Sequence, residues 1–249
     1  MLLLKLMLIP AFLYLLAQVA RYYGPQRAGW MAGLPVVAGP ILWLLLQEHG
    51  TDFATRAAMQ AIAAIAASEL FNLVYARCVT RSGWPLTLTV ALCSWSLAAW
   101  LLQGLTLTLP SALAMAGLAV LINSRYLPRP RIPALHTSGN ENLWLRMLAA
   151  AVLTLLASLA ASKLGARWSG VVAVFPLLAV VMAVSTQRMQ GAAAVQALLR
   201  GMLLGRLGFA GFCLTLVLLL PRLEGNLAFL LAALISIVLQ LQSRRLLPV

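Results

Sequence analysis

The feature that most constrains this chain is a series of apolar runs, each close to the length at which an α-helix crosses a bilayer. Such a crossing takes about 20 residues for roughly 30 Å of hydrocarbon. The runs fall at 3 to 21, 29 to 47, 55 to 77, 85 to 103, 108 to 124, 143 to 162, 168 to 186, 197 to 220 and 226 to 243. They are built from Leu, Ala and Gly and lack the period-2 alternation of an outer-membrane barrel. With 63% hydrophobic and 9% charged residues, a 249-residue chain has too few polar side chains to coat a water-soluble globule. The expected fold class is therefore all-α: a polytopic transmembrane helix bundle of nine helices.

Other uses of these segments are weaker. The opening run "MLLLKLMLIPAFLYLLAQVA" has one lysine but no convincing A-x-A cleavage site and flows into further apolar sequence, so it is read as a mature helix. Cys78, Cys93 and Cys213 are scattered and odd in number, which suggests neither a disulfide framework nor a metal site. The sizeable hydrophilic connector, Arg125 to Asn142, contains Pro128, Pro130 and Pro133 and a Ser-Gly-Asn run, and needs a surface position. It divides the chain into a first membrane repeat plus linking helix (1–124), the connector (125–142) and a second membrane repeat (143–249).

Glycine and proline recur with the same layout in "GPQRAGWMAGLPVVA", from Gly24, and "GARWSGVVAVFPLLA", from Gly165. A shift of 141 residues pairs Gly24 with Gly165, Gly29 with Gly170, Pro35 with Pro176, Ala38 with Ala179, Gly50 with Gly191 and Phe71 with Phe212 without a gap. The same register lays helices one to four on helices six to nine. The second copy starts after an odd number of crossings, so the two copies are expected to be inverted.

Lys and Arg set the orientation. Arg21, Arg27, Arg77, Arg81, Arg125, Arg129, Arg131, Arg146, Arg188, Arg244 and Arg245 fall on one side; Lys5, Arg56, Lys163, Arg167 and Arg222 fall on the other. The richer side is expected to be cytoplasmic, with the C-terminus there and the loop "QEHGTDFATR" outside. The formal net charge of +13 then reads as a topology signal and an attraction to anionic lipid on the cytoplasmic face. The basic residues lack the aromatic interleaving of a nucleic-acid patch.

Two constellations are candidates for function. Pro35, Pro40 and Pro176 each remove a backbone donor within an apolar span, and broken helices at corresponding places in two inverted halves point to a transporter's binding site. The alternative is that proline kinks these helices and glycine lets neighbours pack closely. The second constellation is ionic. Glu69 lies well inside an apolar span and Arg206 is the most deeply placed base, and a lone charge there costs about 2.5 to 3.5 kcal/mol at the bilayer centre. A pair removes much of that cost. The repeat register places them on equivalent faces of helices three and eight, with Gly201, Gly205 and Gly208 facing Ala63, Ala64 and Ala67 across a close contact, and with Ser68 and Asn72 as further polar partners. This pair is either a structural ion pair or a gate, proton-coupling carboxylate or anion site. The expected substrate-binding set is Glu69, Asn72, Arg206, Gly33, Pro35, Gly39, Pro40, Phe175 and Pro176.

Enzyme signatures are sparse. Glu48, His49 and Asp52 sit together in "EHGTD", and His136 stands beside Thr137 and Ser138, but both groups read as solvated turns. No phosphate loop, nucleophile elbow or paired Cys-x-x-Cys occurs in the sequence. Catalytic residues, metal and cofactors are not expected, and the chain is not read as an enzyme. Trp30, Trp84, Trp144 and Trp168 lie near helix ends as interface anchors.

Each half, through "QRAGWMAGLPVVA" and "RWSGVVAVFPLLA", resembles the small four-helix bacterial inner-membrane proteins of the GlpM-like family. In that family an amino-terminal helix ends in a basic turn and is followed by an "aGl...fPt" type helix. The resemblance implies a fused, tandem version in a bacterial inner membrane with an envelope role, since the family is linked to production of an exported polysaccharide. This chain departs from the family by its fusion and by the linking helix. Two functions remain open: a permease or exporter for a small anionic metabolite or lipid-linked envelope intermediate, alternating access between the halves, and a non-transporting membrane partner in envelope polysaccharide assembly. Expected partners are the bilayer, anionic lipid, a small-molecule substrate and, as an open alternative, a second copy in a homodimer.

Overall fold

The structure, a computed structural model, describes residues 2–130 and 175–246. Those residues form α1 (Leu2–Tyr23), α2 (Pro25–Met31), α3 (Ala38–His49), α4 (Thr51–Cys78), α5 (Trp84–Gln103), α6 (Leu109–Tyr126), α7 (Leu177–Leu219) and α8 (Gly225–Ser243), closed by a 3-10 turn at Arg244–Leu246. Among the described residues there is no strand. Helices α4, α5, α7 and α8 are long and apolar enough to cross a membrane, as the class of helical membrane proteins requires. The expected helix at 143 to 162 and the start of the one at 168 lie outside the described residues. Helix α6 runs to Tyr126, so the connector begins there rather than at Arg125.

The architecture is centred on α4. Its apolar window is 72% buried, against 28% for α5 and 22% for α8. The reason is composition. Ala57, Ala58, Ala61, Ala63, Ala64 and Ala67 are all fully buried and let α5, α6 and α7 approach the α4 axis closely. Helices α5 and α8 instead turn Leu97, Trp100, Leu230, Leu234 and Ile237 outward, where acyl chains are the natural contact.

Two departures from the expected spans have a local cause. The single helix expected over 29 to 47 is two helices, separated by turns at 32–37 that contain Pro35. Proline there lacks an N–H and crowds the carbonyl four residues back, so the ladder stops. Pro40 does not break anything: it lies in the first turn of α3, where its missing donor would have no partner in any case. Pro176 likewise sits at the N-cap of α7 rather than within it.

The second departure is at α7, which carries on from the expected seventh span into the eighth with one non-helical residue, Gly191. Gly191 has φ 80 and ψ −172; Gly50, which separates α3 from α4, has φ 81 and ψ 179. This backbone region is almost confined to glycine. The two glycines stand in the register seen in the sequence, and the helices after them keep it: Thr51–Cys78 matches 192–219, and α5 matches α8 to within a residue.

Helix α7 also determines which faces meet. Along its length Gln187 bonds to Tyr75, Gln196 to Ala76 and Arg206 to Glu69, so partners on α4 fall back as α7 advances beyond Gln196, and the two helices cross antiparallel. Gly201 and Gly205 were expected to face the alanines of α4. They face α2 instead: a Cβ on Gly201 would run into the Gln26 carbonyl, and one on Gly205 would come within 2.6 Å of the Trp30 carbonyl and 2.8 Å of the Gly33 Cα. Gly208 packs against Ser236 and Gln240 of α8. Alanine is small enough for α4, whereas α2 lies so close that only hydrogen fits.

Candidate functional site

Helix α4 carries Glu69 about 13 Å from its Cys78 end, and α7 carries Arg206 about 21 Å beyond the restart at Ala192. Because that restart comes five residues before the sequence-expected one at 197, Arg206 is deeper than expected, and its long side chain spans the difference. Arg206 Nε donates to Glu69 Oε1 at 2.5 Å. The carboxylate is 1% exposed and the guanidinium side chain 14%. Charges this far from water persist only when paired and hydrogen-bonded.

The remaining carboxylate lone pairs are met by two asparagines. Asn72 Nδ2, one turn further along α4, donates to Oε1 at 3.3 Å. Asn123 Nδ2, from α6, donates to Oε2 at 2.5 Å and to the Glu69 backbone carbonyl at 2.8 Å. Both asparagines are buried, and Asn72 Oδ1 has no partner. Three helices thus converge on one carboxylate. The sequence does not single out Asn123, because α6 is expected only to link the two halves; an amide one turn from the end of an apolar helix is the available signal.

The proline stretches meet next to this pair. A cavity of about 70 Å³ lies between Gly33, Pro35, Phe175, Pro176, Arg206 and Phe209. Pro35 and Pro176, one turn segment from each half, therefore face one space, which has room for a few waters or a small ion. The cavity is mostly apolar, and Arg206 gives it its charge. Trp95 of α5 backs this wall, its ring edge-on to Phe175 at 5.1 Å.

Gly39 and Pro40 do not join this group. They line an adjoining apolar groove of about 450 Å³ with Trp43, Phe212 and Phe229, and Pro35 borders both spaces. The nearest neighbour for a Cβ at Gly39 is the Phe212 ring, at 3.5 Å. Glu48 and His49 lie 4.0 Å apart and exposed at the end of α3, and among the described residues no group of His, Cys, Asp or Glu has the makings of a metal site. Trp30 and Trp84, expected as interface anchors, sit at helix ends: Trp30 Nε1 donates to Ser243, and Arg188 lies over the Trp84 ring.

Compared with family models, with characterised proteins and with solved structures, the chain finds no match.

Proposed function

We propose that this protein is a multi-pass membrane permease or exporter for a small anionic metabolite or lipid-linked envelope intermediate, working by alternating access between two inverted repeats. The observation that carries the reading is the convergence of Pro35, Pro176 and Arg206 on one cavity. Irregular backbone at membrane depth is tolerated where it lines protein or a watered space, and paired breaks of this kind are where transporters bind their cargo. Arg206 supplies the positive charge that an anion seeks, and Glu69 holds that charge when the cavity is empty.

The inverted arrangement is supported by the common register of Gly50 with Gly191 and of α4 with the later part of α7, and by their antiparallel crossing. Equivalent helices that traverse in opposite directions are what an odd number of intervening crossings produces. Within this reading the chain is a tandem relative of the GlpM-like proteins in a bacterial inner membrane, with its C-terminus cytoplasmic. In this reading the Glu69–Arg206 pair is the closure between the halves, beside the cavity that Arg206 lines.

A second reading, a non-transporting partner in envelope polysaccharide assembly, draws on the same closure: Glu69 is 1% exposed and its seam is packed by alanine. A comparison of metabolites inside and outside cells lacking or overproducing the protein separates the two. Transport predicts one anionic species that accumulates on opposite sides in the two strains. It further predicts loss of that effect in Glu69→Gln and in the double variant Glu69→Leu with Arg206→Leu, at normal protein levels. A double variant that is folded and leaves the metabolite pattern of the wild type intact removes the ion pair from the mechanism.

A further inference from the structure

A larger and more polar cleft lies away from the Pro35–Pro176 cavity, where the end of α4 meets the start of the later part of α7. It encloses about 650 Å³ and is lined by Arg77, Thr80, Arg81, Arg129, Ala192 and Ala193 among others. Arg77, Arg81 and Arg129 all line this space, and among the described residues its lining contains no carboxylate. A fourth, Arg200, is within electrostatic reach of Arg129 and is committed to the Leu127 carbonyl, 2.8 Å from Nη1. Arg77 is held in place by the Tyr126 carbonyl at 3.4 Å and the Tyr126 ring at 6.0 Å. Like charges gathered in one cleft repel one another, and the gathering is stabilised by an anion that several of them share.

The two repeats differ at the matching position in an informative way. After Gly50, α4 starts with Asp52 in its first turn, and this acid complements the positive helix end. After Gly191 the residue in the same register is Ala193, so the restarted helix lacks that acid in its first turn, and its start lines the arginine cleft. Fork-shaped guanidinium donors on several sides, together with a helix start, match a tetrahedral oxyanion better than a planar carboxylate.

We propose that this cleft is a binding site for a phosphate-bearing ligand, held by Arg77, Arg81 and Arg129 against the helix start at Ala192. The same chemistry is offered by the headgroup of an anionic phospholipid and by a soluble phosphate ester. The site is independent of the ion pair, and it stands or falls separately from the transport reading.

The test uses the full chain in nanodiscs. In phosphatidylcholine discs, calorimetry with inorganic phosphate should show binding by the wild type. It should be weakened about tenfold or more in Arg81→Ala with Arg129→Ala, the loss of charge-assisted hydrogen bonds. Ala193→Asp, which gives this helix the acid that α4 has, should weaken it similarly. Both variants should unfold at the wild-type temperature, since the two arginines are exposed and Ala193 is half-buried. In discs containing phosphatidylglycerol, native mass spectrometry assigns the source. Lipid adducts retained by the wild type, lost in both variants and blocking phosphate identify a headgroup. Undiminished binding of glycerol 3-phosphate in the same discs identifies a soluble ester. The proposal is overturned if the wild type neither binds phosphate nor enriches phosphatidylglycerol, or if folded variants bind both as the wild type does.

Discussion

Arg206 Nε lies 2.5 Å from Glu69 Oε1 although the two residues are 137 positions apart in sequence, and this contact joins the two halves of the chain with the carboxylate 1% and the guanidinium side chain 14% exposed. Its energetics are asymmetric. Removing one partner strands the other, whereas removing both leaves apolar side chains in an apolar seam. Glu69→Leu and Arg206→Leu should each destabilise the protein by about 3 to 5 kcal/mol, and the double variant by much less. Thermal unfolding in detergent measures this, and additive losses would mean that the two side chains do not depend on each other.

Asn123 ties α6 to the same carboxylate through a single amide nitrogen. Asn123→Leu removes two hydrogen bonds and leaves Glu69 Oε2 short of a donor, while the Glu69 carbonyl keeps its helical bond, a loss of about 1 to 3 kcal/mol. Protease accessibility of the α6 end at Tyr126 should rise along with it. Unchanged stability would show that α6 is held by its apolar contacts alone.

Gly205 and Gly117 make a matched pair of glycines in helices. A Cβ at Gly205 would meet the Trp30 carbonyl at 2.6 Å, whereas one at Gly117 meets nothing within 4 Å. Gly205→Ala should push α2 off α7 and lower the melting temperature, while Gly117→Ala should be neutral or gain about 0.5 to 1 kcal/mol from helix propensity. Equal effects at the two positions would contradict the close α2–α7 contact.

Gly50 and Gly191 share a backbone conformation that side chains rarely adopt, with open space around each. Alanine at either position should cost about 1 to 3 kcal/mol through backbone strain alone. The two losses should be alike, because the φ and ψ values are alike. A tolerated Gly191→Ala would mean that α7 straightens through this point.

Orientation follows from the basic residues, and reporter fusions check it. Fusions after Arg131 and at Val249 should both report the cytoplasm. A signal from the opposite side at either place would overturn the nine-helix scheme.

Much of this protein was legible in its sequence because the governing forces are local. A run of apolar residues of bilayer length without the alternation of a barrel strand has to be helical, since a helix satisfies its own backbone in hydrocarbon, and the expected spans at 55 to 77, 85 to 103 and 226 to 243 agree with α4, α5 and α8 to within a few residues. The meeting of Glu69 and Arg206 was legible for a similar reason: two opposite charges deep in apolar segments have few inexpensive alternatives to each other. Gly50 and Gly191 also announced themselves, as paired glycines between apolar runs.

Tertiary structure alone decided which faces touch. That Gly201 and Gly205 admit α2 rather than α4, that Asn123 reaches Glu69 from α6, and that Gly39 and Pro40 do not join the cavity lined by Pro35 and Pro176 are outcomes of how all the helices pack at once. Helix formation and membrane insertion depend on each segment's own residues. The rotation and crossing of a helix depend on the volumes of every neighbour it meets, and in a bilayer, where apolar contact with lipid is nearly as favourable as contact with protein, the small residues and the few polar groups settle that choice.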